Sequence, residues 1–230
     1  MADDLIAVRA PVVTFYVLKD DAGLYLIDTG FLTAPRLLRR ELRRRGWEHL
    51  PIRGILLTHG HLDHVLNAVP FAEKFGAWIA GPRADADHYL GRWPYRGISR
   101  VTGVLEGVGR ALFRYRPFTP DRLLDPDAEL DVWGGLQAVH LPGHTAGHTG
   151  YYSPTRKLLF SGDLFNDQPG WPFRPPPIFN SFPKQIPGSI AKALSLDLAG
   201  VLPAHCDDQP PAVHLARLRR LHERLTSRRR

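Results

Sequence analysis

Four apolar runs in this chain each end on a side chain that binds metal, and that repetition constrains its fold more than any other feature. Gly54-Ile-Leu-Leu-Thr58 leads into His59-Gly-His61-Leu-Asp63-His64. Leu136 to Leu141 leads into Pro142-Gly-His144-Thr-Ala-Gly-His148, Leu158 to Phe160 into Ser161-Gly-Asp163, and Val201-Leu202 into Pro203-Ala-His205. Short apolar runs bounded by turn residues read as buried strands, so the pattern calls for strands that deliver histidine and aspartate from their C-terminal ends. Imidazole and carboxylate suit borderline metals. In extended chain, residues two apart share a face, which lets His59 and His61 grip one ion. Asp63 and His64 open a predicted helix over Val65 to Phe75, stopped by Gly76, and point elsewhere, at a second ion. Core-type Leu57 and Val65 flank the cluster and argue against a mere surface histidine patch.

The rest of the chain reads as layered α/β. Val12 to Leu18 and Leu24 to Ile27 form a hairpin across Asp20-Asp21-Ala22-Gly23, and Ile27-Asp28-Thr29-Gly30 ends its second strand. An arginine-rich helix follows, with Thr33 or Pro35 at its start and Gly46 at its end. Then come strands at Ile52 to Leu57 and Ala77 to Ala80. Later strands are short (Leu136 to Leu141, Thr149 to Tyr152, Leu158 to Phe160, Val201-Leu202), with helices at Ser189 to Leu198 and at the C-terminus. Residues 98–115 carry Ile98, Val101, Leu105, Val108 and Leu112 at helical spacing. Residues 166–188 hold a run of prolines with Trp171, Phe173, Phe179 and Phe182, which excludes helix and central strand. Both stretches are read as insertions at the lip of a substrate site within a single domain over 1–230.

Composition narrows the function classes. At 43% hydrophobic and 23% charged the chain is globular, and no apolar stretch approaches the roughly 20 residues of a spanning helix. The start, Met1-Ala-Asp-Asp-Leu5, lacks a secretory pattern. The single cysteine, Cys206, fits a reducing compartment and is expected to be buried and inert. A cytoplasmic protein with no membrane partner is expected. The net charge of +7 raises nucleic-acid binding. The excess, however, sits in Arg36 to Arg45 and Arg217 to Arg230, each the solvated face of an amphipathic helix, the second striped by Leu215, Leu218, Leu221 and Leu225. No aromatic interleaving supports a nucleic-acid partner.

These motifs, in order LIDTG, THGHLDH, LPGHTAGH, SGD and PAH, resemble those of the metallo-β-lactamase-fold hydrolases. The resemblance spans Asp28 to His205. It implies a four-layer αββα sandwich with the site at one edge of its sheets. It implies that His59, His61 and His144 bind one metal, that Asp63, His64 and His205 bind another, and that Asp163 bridges them. Asp28 would hold a ligand in place without touching metal, and Asp63 would handle protons. The expected cofactor is two zinc ions per chain, with iron or manganese also fitting the donors. His148 is expected to support its turn; His49, His88, His140, His214 and His222 show no partnering pattern.

The resemblance implies hydrolysis of a carboxylic ester, lactone or thioester by a metal-bridging hydroxide. Antibiotic hydrolysis is not expected, because β-lactamases of the fold carry cysteine or serine where Asp163 stands. Some lactonases carry a tyrosine at the position of Asn166, and glyoxalase II adds a helical domain where a single basic helix is expected here. Two other readings stay open: a mononuclear iron persulfide dioxygenase using His59, His144 and Asp163, and a nucleic-acid phosphodiesterase. The expected partner is a small molecule with an apolar portion, and a homodimer stays open as the assembly.

Overall fold

The computed structural model describes residues 3–167 and 172–227. It divides into two compact units, one made of residues 3–94 and 104–124, the other of residues 95–103 and the described residues from 125 onward.

The first unit is built on a six-stranded sheet. Strands β1 (Leu5–Arg9), β2 (Thr14–Asp20) and β3 (Gly23–Ile27) run antiparallel, with the Asp20 side chain capping the β2–β3 turn through the amide of Ala22 at 2.9 Å. Helix α1 (Ala34–Arg45) then crosses over to β4 (Ile52–Leu56), which is parallel to β3. Ala34, Leu38 and Leu42 form the buried stripe of α1 and leave its arginines to solvent. Gly46 ends the helix at φ +67°, donating to the carbonyl of Leu42, a left-handed conformation for which glycine is the natural choice. After β4 come α2 (Leu62–Val65), α3 (Ala68–Phe75), β5 (Trp78–Pro82), α4 (Ala86–Tyr89), α5 (Arg100–Leu112, its start grouped with the second unit) and β6 (Arg122–Leu124). Strands β4, β5 and β6 continue the sheet in parallel. Val8, Phe15, Leu26, Leu38, Ile55 and Phe71 lie in its core.

The second unit holds a five-stranded sheet in the order β13-β10-β9-β8-β7. Its strands are β7 (Glu129–Leu130), β8 (Leu136–His140), β9 (Thr149–Ser153), β10 (Leu158–Gly162) and β13 (Gly200–Pro203). Only the β10–β13 pair is parallel. Between β10 and β13 lie a short antiparallel pair, β11 (Asn166–Asp167) and β12 (Pro172–Phe173), and helix α6 (Ile186–Leu194). Helix α7 (Pro211–Ser227) buries His214, Leu215, Leu218 and Leu221 against Leu159, Phe165, Ile190 and Val201. Among the described residues no helix is long and apolar enough to cross a membrane.

Several expectations need correcting. The helix predicted over Val65 to Phe75 is two helices, Leu62–Val65 and Ala68–Phe75; Asp63 and His64 lie in the first of them, at the opening where they were expected. The break falls at Asn67, whose side-chain amide donates to the carbonyls of Thr29, Gly30 and Phe31 at 3.1, 3.0 and 3.0 Å and so pins that corner to the loop after β3. Strand β1 was not foreseen. Residues 166–188 are not loop throughout: a strand pair opens them and α6 begins at Ile186, with Pro187 in its first turn, where a missing amide costs nothing. Pro169 and Trp171, together with the last arginines of the tail, Arg228 to Arg230, lie outside the described residues. The apolar positions of α5 face outward: Val101, Val104, Leu105, Val108 and Leu112 are 50–70% exposed, whereas Thr102 and Glu106 are buried.

Candidate metal centre

In the first unit, parallel pairing puts the C-terminal ends of β3 and β4 side by side, and both ends carry functional residues. Asp28 follows β3 at φ +62°, a left-handed position that aspartate tolerates better than most residues. Its amide donates to the carbonyl of Leu56 at 2.8 Å, which fixes the two loops to one another. The Asp28 carboxylate accepts from the amide and the hydroxyl of Thr58, each at 2.8 Å, and from Nδ1 of His64 at 2.8 Å. The Thr58 hydroxyl has one proton, which goes to Asp28. Its contact with Nδ1 of His59 at 3.0 Å is therefore one in which it accepts. One buried carboxylate thus fixes the proton of both rings on Nδ1 and leaves Nε2 of each as a lone-pair donor.

The rings themselves are close. His59 lies 4.8 Å from His61 and 4.1 Å from His64, centroid to centroid, and all three are buried. Asp63 places Oδ2 3.6 Å from Nε2 of His64 and is the most solvent-accessible of the four. Gly60, between the first two histidines, has both backbone polar groups engaged: its amide donates to Asp85 and its carbonyl accepts from Arg110, each at 3.0 Å. A Cβ there would fall 2.2 Å from Cβ of His88, so the turn admits only glycine. His88 is buried, with its ring 5.4 Å from that of His61. Burial holds its pKa below the usual imidazole range despite the nearby charges of Asp85 and Glu106.

In the second unit the same device recurs. Strands β10 and β13 are parallel neighbours, so Asp163 and His205 leave the sheet at the same edge. Oδ2 of Asp163 lies 3.1 Å from Nε2 of His205 and 3.3 Å from Nε2 of His144, which stands in the β8–β9 turn. His144 is oriented by Asn180, whose amide nitrogen donates to the carbonyls of Pro175 and Pro176 at 2.7 and 3.1 Å. Its Oδ1 therefore faces Nδ1 of His144 at 3.0 Å and accepts that proton, leaving Nε2 the lone pair. His148 closes the turn: Nδ1 donates to the carbonyl of Leu141 at 2.9 Å and Nε2 accepts the amide of Asp163 at 3.0 Å. Both its nitrogens are committed, in keeping with the supporting part expected of it.

Two expectations fail here. Cys206 is half-buried, not buried, and its thiol donates to the carbonyl of Pro203 at 3.2 Å. His214 does have partners: Nδ1 sits 2.6 Å from Oδ2 of the fully buried Asp167, to which Arg217 also donates at 3.2 Å. Burial works against the His214 imidazolium, but the bond to Asp167, aided by Cys206, outweighs it and carries the pKa up to about 9. The amide of Asp167 in turn donates to the carbonyl of His205 at 2.8 Å, tying this ion network to the His205 backbone. Asn180 was also missed. Nothing in a proline-rich stretch marks one asparagine as a partner for a histidine 36 residues upstream, whereas Thr58 stands directly before His59.

The chain matches the model of the metallo-beta-lactamase superfamily over residues 8–205. It is similar to hydroxyacylglutathione hydrolase GloC of Haemophilus influenzae, 33% identical over 149 residues that cover 63% of this chain and 62% of that protein. It is also similar to the hydroxyacylglutathione hydrolase of Brucella ovis, 30% identical over 243 residues that cover 95% of this chain and 80% of the relative. The matched region thus spans less than two thirds of the Haemophilus protein's length. Among solved structures, a metallo-beta-lactamase family protein from Thermus thermophilus superposes with a TM-score of 0.76 at 22% identity, over 99% of this chain and 81% of that one. At that identity the likeness is one of fold, and it is the fold expected from the motifs.

Proposed function

The chain belongs to the metallo-beta-lactamase superfamily, and from that membership and its two donor groups we propose that it is a metal-dependent hydrolase of carboxylic esters, lactones or thioesters. In this reading His59, His61 and His144 hold one ion, Asp63, His64 and His205 hold a second, and Asp163 serves both. Zinc suits such nitrogen and oxygen donors, and iron or manganese would also fit. The observation that carries the reading is what faces Nδ1 of three of these histidines. Asp28, Thr58 and Asn180 take up Nδ1 of His64, His59 and His144, so each ring offers Nε2 to a cation. Carboxylate and amide partners of this kind are what orient metal-binding histidines. Asp163 fits the shared position because one of its oxygens faces Nε2 of both His144 and His205.

A metal pair held there would supply the nucleophile by bringing the pKa of bound water down towards about 7, so no serine or cysteine would be required. The chain's own residues do the rest. Asp63, accessible and beside His64, can hold a proton and pass it to the leaving group. The outward apolar face of α5 gives an apolar portion of a substrate somewhere to lie. Among the three substrate classes the thioester comes first, since two relatives are named for acyl-glutathione hydrolysis and an acyl-glutathione is a thioester. The test is zinc-loaded protein assayed against thioesters, lactones and carboxylic esters, with a phosphodiester as control. Cleavage in one of the first three classes, abolished by a chelator and restored by zinc, is expected. A metal-loaded protein that cleaves only the phosphodiester, or nothing, would refute the proposal.

A further inference from the structure

Helix α7 packs on the second sheet through its leucines, yet two of its residues reach ionic partners instead. His214 donates from Nδ1 to Oδ2 of Asp167 at 2.6 Å, and Arg217 donates to the same oxygen at 3.2 Å. Arg217 also donates to Asp207 at 2.8 Å, and Nε2 of His214 lies 4.0 Å from that carboxylate, so the four side chains close a ring. Asp167 is fully buried, and a buried carboxylate keeps its place only while its partners are kept. Asp167 therefore stands where α7 puts it. Its backbone passes the constraint on. The Asp167 amide donates to the carbonyl of His205 at 2.8 Å, and its carbonyl accepts from the amide of Asp207 at 3.1 Å, a parallel bridge opposite Cys206. Residues 205–207 are thus clamped twice, through the backbone by Asp167 and through the Asp207 side chain by Arg217. His205 leaves β13 into this grip with Nε2 facing Oδ2 of Asp163 at 3.1 Å.

We propose that Asp167, His214 and Arg217 are positioning residues for His205, which makes α7 an outer support of the metal centre as well as a packing element. The inference rests on the reading of His205 as a ligand of the second ion. It is tested by titrating zinc into metal-free protein against a chromophoric chelator, with the histidine rings followed by NMR before zinc is added. In His214→Leu one zinc ion is expected to bind as in the wild-type chain and the other about 10–100-fold more weakly, the usual effect of losing an outer partner. His214→Asn, whose side-chain amide donates near the place of Nδ1, is expected to recover most of that loss. Arg217→Met, which keeps the side-chain stem, is the second variant should His214→Leu fail to fold, and it is expected to weaken the same ion. In metal-free protein the ring resonances of His205 are expected to move in these variants while those of His59 stay. A merely structural role would lower the melting temperature without separating the two affinities. Equal weakening of both ions, wild-type affinities in a folded His214→Leu or Arg217→Met variant, or no recovery in His214→Asn would overturn the proposal. Wild-type protein that binds fewer than two zinc ions would overturn the hydrolase reading, whereas His205 resonances unmoved in the metal-free variants would overturn the present inference whatever the zinc count.

Discussion

Replacing Asp28 by asparagine isolates the chemistry that organises the first donor group. The shape is kept, and asparagine accepts the φ of +62° found there, so the backbone is not strained. One acceptor oxygen remains for the Thr58 amide. The other becomes an NH₂ group, which donates where the carboxylate accepted from His64 and from the Thr58 hydroxyl. The Thr58 hydroxyl must then turn its proton to Nδ1 of His59, and Nδ1 of His64 must become a lone pair. Both rings are left with N–H at Nε2, the form that cannot bind metal. Two charge-assisted bonds, about 1.5–3 kcal/mol each, are replaced by weaker neutral ones, a net cost of about 2–3 kcal/mol. At about 2–4 °C per kcal/mol for a chain of this size, the melting temperature of the metal-free variant falls by about 4–12 °C. Disturbing one outer partner typically lowers metal affinity about 10–100-fold, and here two ligands are affected, so a loss of about 100-fold or more is expected. A competition titration with a chromophoric chelator measures the affinity, and ¹⁵N shifts of the imidazoles report the tautomers. Unchanged zinc affinity with Nδ1–H retained on both rings would refute this account of Asp28.

Other outcomes follow from the same structure. Asp163→Ala is expected to lose bound metal and nearly all hydrolysis, and Cys206→Ser to change little; metal analysis and rates on the two purified variants check this. Gly60→Ala must displace His88 and should cost about 1–3 kcal/mol by overpacking, read as a shift in the denaturation midpoint, with weakened metal binding alongside. His214, raised from about 6.5 to about 9, stabilises the fold fully below pH 6.5, and that stability fades as pH rises through about 9. The loss is on the order of 3 kcal/mol. Denaturation at pH 6 and pH 9.5 should show it in the wild-type chain and not in His214→Gln.

Much of this molecule could be read from its residues because its donors are local signals. His59, His61, Asp63 and His64 lie within one short stretch, and Asp163 and His205 each stand just past an apolar run, so the strand ends and the residues that follow them can be read together. The helices with clean stripes and glycine stops, α1 above all, were legible for the same reason. What escaped depends on contacts between distant segments. Asn67 breaks a helical pattern only because the carbonyls of Thr29, Gly30 and Phe31 happen to face it. Asn180 and the Asp167–His214 pair are long-range side-chain contacts that no periodicity encodes. Strand β1 is defined by its pairing with β2, from Leu5 opposite Leu18 to Arg9 opposite Thr14, a long-range contact that its own five residues do not signal. On α5 the helical spacing was right, but spacing does not say which face a helix buries, and here the apolar face looks outward.

The most direct test of the central claim is the metal content of the purified chain after saturation with zinc and removal of excess, measured alongside thioester and lactone cleavage. Two zinc ions per chain, with hydrolysis rising as the second ion binds, is the predicted result. A single iron per chain with oxygen consumption, or retention of less than one metal ion by folded protein, would contradict it.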